Sequence, residues 1–342
     1  MKDFLSNKRV LVTGACGTVG KEITQLLLSG AFGKLKEFVG IDNNESELFF
    51  AEQEFPQSNA RFYLRDLRNF NGLREICSGV DVIFHTAALK HVGICEMSPD
   101  EAVQTNIFGL QNLIKAAKRC GVETFIFTSS DKAVNPTNVM GTSKLMGERL
   151  VTAANNSREN KGTIFASTRF GNVLGSRGSV VPIFRDQILA GKDITLTSPE
   201  MTRFIMSIGE AANLVIESAA IARGGEVLIT KMPVIRILDL AEVMADVLVE
   251  KHSLSDRSRI IDIGVKPGEK LYEELMSEEE TARAIETGRY FVVMPAFRDM
   301  YKVEYHYENE VTNAELRPYK SSEETLLTKE QLKHYLQKFE II

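Results

Sequence analysis

Two hydrophobic periods alternate along the first half of the chain. Short, β-branched or aromatic runs at residues 10–12, 38–41, 61–64, 80–84 and 124–128 read as strands, because buried strands appear as brief apolar runs bounded by turn residues. Between them, residues 19–28, 45–55 and 102–117 repeat their apolar positions at helical spacing. Such alternation implies a parallel sheet, since each crossover helix must cover one of its faces. A long helix starting near Asn138 and a sixth strand at 163–167 are expected to complete this first wound sheet. Beyond Asn172 the rhythm loosens. Short strands near 194–196 and 226–229 and helices near 209–222 and 237–249 read as a smaller lobe over the strand ends. Residues 294–342 are rich in Tyr and charge, and only 329–339 looks helical. No repeat or low-complexity linker separates the parts, so the two lobes are expected to interleave.

Composition narrows the function classes. At 342 residues, 44% hydrophobic and 25% charged, the chain is a globular protein with room for one large core and an annex. A formal net charge of −5 argues against sequence-independent nucleic-acid binding, which needs an excess of Lys and Arg. Cys16, Cys77, Cys95 and Cys120 form no C-x-x-C pair and no His cluster, so they read as reduced packing residues and no metal is expected. Residues 1–9 are polar and lack the apolar core of a signal peptide. No run approaches the roughly 18 to 20 apolar residues that span a bilayer. The expectation is a cytoplasmic protein with no membrane partner.

The most informative local pattern runs from Lys8 to Gly20, K-R-V-L-V-T-G-A-C-G-T-V-G. A short buried strand leads into Gly14, Gly17 and Gly20 and then into a helix, which is the context a dinucleotide-binding glycine motif requires. Gly14 permits the tight turn, Gly17 lets backbone approach a pyrophosphate, and Gly20 lets the helix pack closely. The amides opening the helix, at Thr18 and Val19, supply donors and positive dipole. Asp42 ends the second strand, 22 residues after Gly20, where a carboxylate accepts from an adenosine ribose. Asn43, Asn44 and Glu45 beside it offer no cation for a 2′-phosphate, which favours NAD over NADP. Asp66 follows the third strand and suits either an adenine contact or a helix N-cap. The fold class is therefore α/β, a Rossmann-type doubly wound sheet with a smaller C-terminal lobe. Residues 1–172 are expected to bind NAD, and 173–342 to form mainly the substrate lobe and tail.

After the fifth strand come Ser129-Ser130-Asp131-Lys132-Ala133-Val134-Asn135-Pro136 and then Met140-Gly141-Thr142-Ser143-Lys144. With these the chain resembles the extended short-chain dehydrogenase/reductases, specifically nucleotide-sugar 4,6-dehydratases of the polysaccharide-biosynthesis type that act on UDP-N-acetylglucosamine. The resemblance runs from about residue 8 to about residue 276. It includes Ala87-Ala88-Leu89-Lys90-His91, Arg169-Phe170-Gly171-Asn172-Val173, Gly178-Ser179-Val180-Val181-Pro182, Met201-Thr202-Arg203 and Lys266-Pro267-Gly268-Glu269-Lys270. Two positions depart from the wider pattern. Met140 stands four residues before Lys144, where most of the superfamily has the Tyr base, a substitution that one branch of these dehydratases shares. Ser130 replaces a usual Thr and keeps the hydroxyl.

The resemblance implies a lyase that oxidises sugar C4, removes the C5 proton, expels the C6 hydroxyl as water and returns hydride to C6. By the same likeness Lys132 is the base at C5 and Asp131 the acid at C6. Side chains adjacent on a strand point to opposite faces, so the backbone must leave extended geometry after Thr128 for both to reach one sugar. Lys132 needs a lowered pKa to be neutral, and Asp131 is more useful with a raised one. Ser130, Asp131 or a water takes the C4 hydroxyl proton in place of Tyr, and Asp131 and Lys132 could exchange a proton through Ser130. Lys144, one turn beyond Met140, is placed to hydrogen-bond the nicotinamide ribose. The resemblance further implies cofactor contacts from Leu67, Ala87, Ala88, Lys90 and Asn106, the last bracing the site with Thr105 beside it. Substrate contacts fall on Lys90, His91, Asn172, Ser179, Val180, Arg203 and Glu269, with Arg203 the best fork for phosphate. His91 is expected to orient its loop.

Within the same frame a 4-epimerase or reductase is the nearest alternative, and it would keep the Tyr and lack the Asp-Lys pair. A non-catalytic NAD-sensing protein is the alternative from another class. UDP-N-acetylglucosamine is preferred to its GDP counterpart, retention at C5 to inversion, and a homo-oligomer to a monomer.

Overall fold

Period-two alternation decides how the first strands are used. In the computed structural model, which describes residues 3–254, 256–265, 268–297, 303–311 and 316–342, strand β1 spans Arg9–Thr13. It sends Val10 and Val12 into one apolar core and Leu11 into another. The next strands do the same. β2 (Glu37–Asp42) splits Phe38 from Val39 and Ile41, β4 (Val82–His85) splits Val82 and Phe84 from Ile83, and β5 (Thr124–Thr128) splits Ile126 from Phe125 and Phe127. Two covered faces are what a parallel sheet needs, and one register slip would exchange the cores.

With β3 (Ala60–Leu64) and β6 (Ile164–Arg169), these strands lie in the order β3-β2-β1-β4-β5-β6, all parallel. The order reverses between β1 and β4, the switch point at which doubly wound sheets bind ligands. The sixth strand does not complete the sheet. Val227–Thr230, expected in the smaller lobe, pairs in parallel with β6. Tyr290–Val293 and Ala284–Glu286 then add antiparallel, giving nine strands among the described residues. All four residues of Val227–Thr230 are buried, as befits a strand covered on both faces.

A third core, containing Val181, Phe184, Ile205, Leu240, Met244 and Leu248, belongs to the annex. The tail helix Lys329–Lys338 docks there through fully buried Leu332 and Leu336. Its Thr328 and Gln331 form a capping box, which satisfies amides left open at the helix start. Another tail segment, Tyr319–Lys320, pairs with Glu274–Met276 and so reaches the site described below. Lys266 and Pro267 of the Lys-Pro-Gly-Glu-Lys motif lie outside the described residues, as do 298–302 and 312–315 of the tail. The four cysteines are free. No helix among the described residues is long and apolar enough to cross a membrane.

Candidate active site

The glycine turn sits at the C-terminal end of β1. Gly14 has φ +69°, and a Cβ there would lie 2.8 Å from the Ala87 backbone, so the segment after β4 packs directly on the turn. A Cβ on Gly20 would lie 2.0 Å from the Gly14 carbonyl oxygen, which is how closely helix Thr18–Leu28 approaches. Gly17 has ordinary backbone geometry and caps that helix without a side-chain hydrogen bond, so the Thr18 and Val19 end of the helix has no side-chain acceptor from its cap. Asp42 accepts from the backbone amides of Cys16 and Asn44, both at 3.1 Å, and its carboxylate is thereby held at the end of β2. Burial, with Asp42 and Glu47 adding to it, pushes the Cys16 thiol up to about 12.

Positive charge does reach this end of the site, from a distant part of the chain. Arg177 makes a two-pronged ion pair with Glu47, at 3.0 and 3.1 Å, while its own amide donates to Thr18 Oγ1 and its carbonyl accepts from Lys90 Nζ at 2.9 Å. The residues next to Asp42 gave no sign of it. Burial, with Arg177 nearby, lowers the Lys90 pKa. Asp66 is paired with Arg68 rather than capping a helix, since Asn69 caps Phe70–Ile76. Leu67 is buried, with its carbonyl accepting from Asn112.

After β5 the backbone leaves extended geometry, and Asp131–Ala133 forms a 3-10 turn capped by Ser130. The turn places both side chains on one side: Lys132 Nζ lies 3.0 Å from Asp131 Oδ1, to which Ser130 Oγ also donates at 2.7 Å. Asp131 is fully buried, and its Oδ2 has no partner among the described residues. Asn135, with φ +44°, ends the segment and donates to Glu274. The turn is pressed on helix Val139–Asn155 so tightly that a Cβ on Gly141 would lie 2.2 Å from the Lys132 carbonyl oxygen.

On that helix Lys144 donates to the Thr128 carbonyl at 2.9 Å and stands over the Phe127 ring. Burial lowers its pKa to about 8, against the opposing pull of Glu148 and Cys95. Met140 packs with Cys95 and Ala102 in a small apolar cluster, so nothing about its surroundings gives it a chemical part. Asn106 lies on a π-helical stretch, Val103–Gly109, a feature frequent at functional sites. It accepts from Leu89 N and donates to Leu89 O and to Ser143 Oγ, tying the loop after β4 to the helix bearing Lys144.

Burial would lower the Lys132 pKa, as the proposed base role wants, but Asp131 and Glu273 outweigh it even against Arg203, and the net shift is upward. Glu273 lies 3.4 Å from Lys132 Nζ and 3.6 Å from Arg203 Nε. Glu269, the expected substrate contact of this segment, is exposed. Glu273, four residues beyond Glu269, is 3% exposed and is the acid that reaches the site, with no local pattern in the sequence to mark it. Arg203 does not present the expected phosphate fork. Its Nη1 and Nη2 donate to the carbonyls of Thr202, Leu271 and Lys270, so it fastens the Glu273 segment instead. The remaining substrate candidates divide. Ser179 begins helix Val180–Leu189 with its Oγ buried and without a partner among the described residues. Asn172 sits in a short strand beside Ile205, and His91 is exposed next to Gly178.

The chain matches the family model for polysaccharide biosynthesis protein over residues 10–295. It is 45% identical over 337 residues to an uncharacterized membrane protein of Methanocaldococcus jannaschii, covering 98% of this chain and 97% of the relative. It is 36% identical to UDP-glucose 4-epimerase of Rickettsia canadensis over 96% of this chain and 95% of that one. Among solved structures, Pen from Bacillus thuringiensis superposes with a TM-score of 0.91 at 40% identity, covering 99% of this chain and all of the other.

Proposed function

The chain belongs to the polysaccharide biosynthesis protein family, among nucleotide-sugar enzymes of the extended short-chain dehydrogenase/reductase type, and from that premise we propose that it is an NAD-dependent 4,6-dehydratase acting on UDP-N-acetylglucosamine. The observation that carries the reading is the hydrogen-bonded cluster of buried Asp131 with half-buried Ser130 and Lys132, just beyond the strand end that Lys144 binds. Interconverting C4 needs one acid–base group. Eliminating water across C5 and C6 needs a further acid and base, the parts this reading gives to Asp131 and Lys132.

The glycine turn and Asp42 fit a dinucleotide, because the two tight approaches at Gly14 and Gly20 leave no room for side chains in the turn and the Asp42 carboxylate is held ready for ribose hydroxyls. When bound, NAD supplies the acceptor and later donor of hydride. Lys144 holds the ribose. Ser130 passes the C4 hydroxyl proton to Asp131 Oδ1, and Asp131 then returns that proton to the departing C6 oxygen. Lys132 removes the C5 proton, and after the double bond is reduced its ammonium, whose hydrogens exchange with solvent between turnovers, returns one of them to C5. Ser179, at a helix start with an unspent hydroxyl, suits the diphosphate.

The deciding measurement is NMR of the product formed from UDP-N-acetylglucosamine in deuterated water. A 4-keto-6-deoxy sugar carrying deuterium at C5 is expected, and its couplings report the configuration there. The Rickettsia relative favours a second reading, a 4-epimerase. Recovery of the C4 epimer with its C6 hydroxyl intact would replace the first reading with that one.

A further inference from the structure

As it stands in the resting site, Lys132 cannot do what elimination asks of it. Its Nζ sits between Asp131 Oδ1 at 3.0 Å and Glu273 Oε1 at 3.4 Å, and two carboxylates hold the amine as ammonium. An ammonium accepts no proton from C5. Asp131 is not free to relieve it, because its Oδ1 already takes the Ser130 hydroxyl as well as Lys132 and the reaction requires it at C6.

Glu273 is differently placed. Its backbone is clamped on both sides by Ser321 of the tail, whose Oγ accepts from Glu273 N and whose amide donates to Glu273 O, each at 2.9 Å. Its Oε2 is buried without a partner among the described residues, an arrangement costly for an anion and far less so for a neutral acid. The charged groups facing it are Lys132, Asp131, Arg203 and Lys270. Burial, reinforced by Asp131, raises its proton affinity beyond what the three cations remove.

We propose that Glu273 is the proton store of Lys132, a positioning residue that takes the ammonium proton when substrate binds and leaves a neutral amine facing C5. This rests on the dehydratase reading. The step is internal: one N–H bond of Lys132 breaks, one O–H bond of Glu273 forms, and the net charge of the pair is unchanged. Lys132 then takes the C5 proton as the C5–C6 double bond forms and the C6–O bond breaks. After C6 is reduced, Lys132 returns a proton to C5 and recovers its first one from Glu273.

Because no proton is exchanged with solvent to arm the base, turnover of the native enzyme should be level across neutral pH. Glu273→Gln leaves only solvent to take that proton. Its kcat should fall about a hundredfold near neutrality and climb about tenfold per pH unit, while Glu273→Asp restores a level profile. A Glu273→Gln enzyme as fast as the native one at every pH, or a uniform loss with no pH slope, overturns the store. A second measurement needs no turnover. In cofactor-bound protein, the carbon-13 signal of Lys132 Cε, assigned by its loss in Lys132→Arg, should titrate at least about one pH unit lower in Glu273→Gln. An unmoved midpoint overturns the proposal. A shifted midpoint in a protein that forms no 4-keto-6-deoxy sugar leaves the Lys132–Glu273 coupling standing and removes the dehydratase reading alone.

Discussion

Asp131 and Lys132 are neighbours in sequence, yet their chemistry depends on being brought to one side by a single turn. Replacing either should stop the reaction without emptying the cofactor cradle, which is built from other elements. Lys132→Ala and Asp131→Asn are each expected to cut turnover by at least about a hundredfold, with bound dinucleotide unchanged when the purified protein is denatured and its cofactor measured. Full activity in both would remove the mechanism. Lys144 makes a prediction about stability instead. Its folded pKa of about 8 lies below its ordinary 10.5, so between these values the unfolded chain binds more protons and stability rises with pH. Relative to Lys144→Met, the cofactor-free native protein should therefore gain up to about 3 kcal/mol from neutral to strongly alkaline pH. Urea unfolding of both proteins at the two ends checks it, and a constant difference would mean that the amine is not buried as a charge.

At the level of elements, the site depends on how closely backbones approach. The Asp131–Ala133 turn rests on helix Val139–Asn155 where Gly141 has no side chain. A methyl at that point must displace either the helix or the turn, at about 1–3 kcal/mol. Gly141→Ala should thus lower kcat by about tenfold or more while the melting temperature falls only modestly. Unaltered kcat would show that Lys132 tolerates a shift of its own carbonyl. Strand position behaves differently from strand identity. Val227–Thr230 has the apolar run of a buried strand, but only its pairing with β6 places it in the large sheet.

Over the whole molecule, one buried arginine joins the layers. Arg169, 1% exposed, leaves β6 and donates to Glu148 of the long helix, to Glu280 and to the Leu275 carbonyl. Glu148 also accepts from Ser129, so the strand end that starts the catalytic turn hangs on the same network. Removing the cation strands two buried carboxylates, and Arg169→Met is expected to cost about 3–5 kcal/mol in urea unfolding. Burial alone would raise Glu280, but Arg169 holds it down to about 2. Its contribution is present above its ordinary 4.5 and lost as pH falls through 2, so the stability gap between the native protein and Arg169→Met should narrow as the pH is lowered across that range. A variant as stable as the native protein would show that hydrophobic packing, not this network, joins the layers.

Periodicity and glycine spacing are local quantities, and the chain alone determined what depends on them: six parallel strands, the Gly14–Gly20 turn, Asp42 at the end of β2, and a turn after Thr128 carrying an acid and an amine. Tertiary structure decided whatever depends on segments far apart in the chain. It brought Glu273 to Lys132, committed Arg203 to backbone carbonyls, carried Arg177 to Glu47 and drew Ser321 of the tail into the site. The physical reason is that a buried charge has no signature of its own in sequence. It is tolerated only where a counter-charge arrives across space, and the fold alone says which one does.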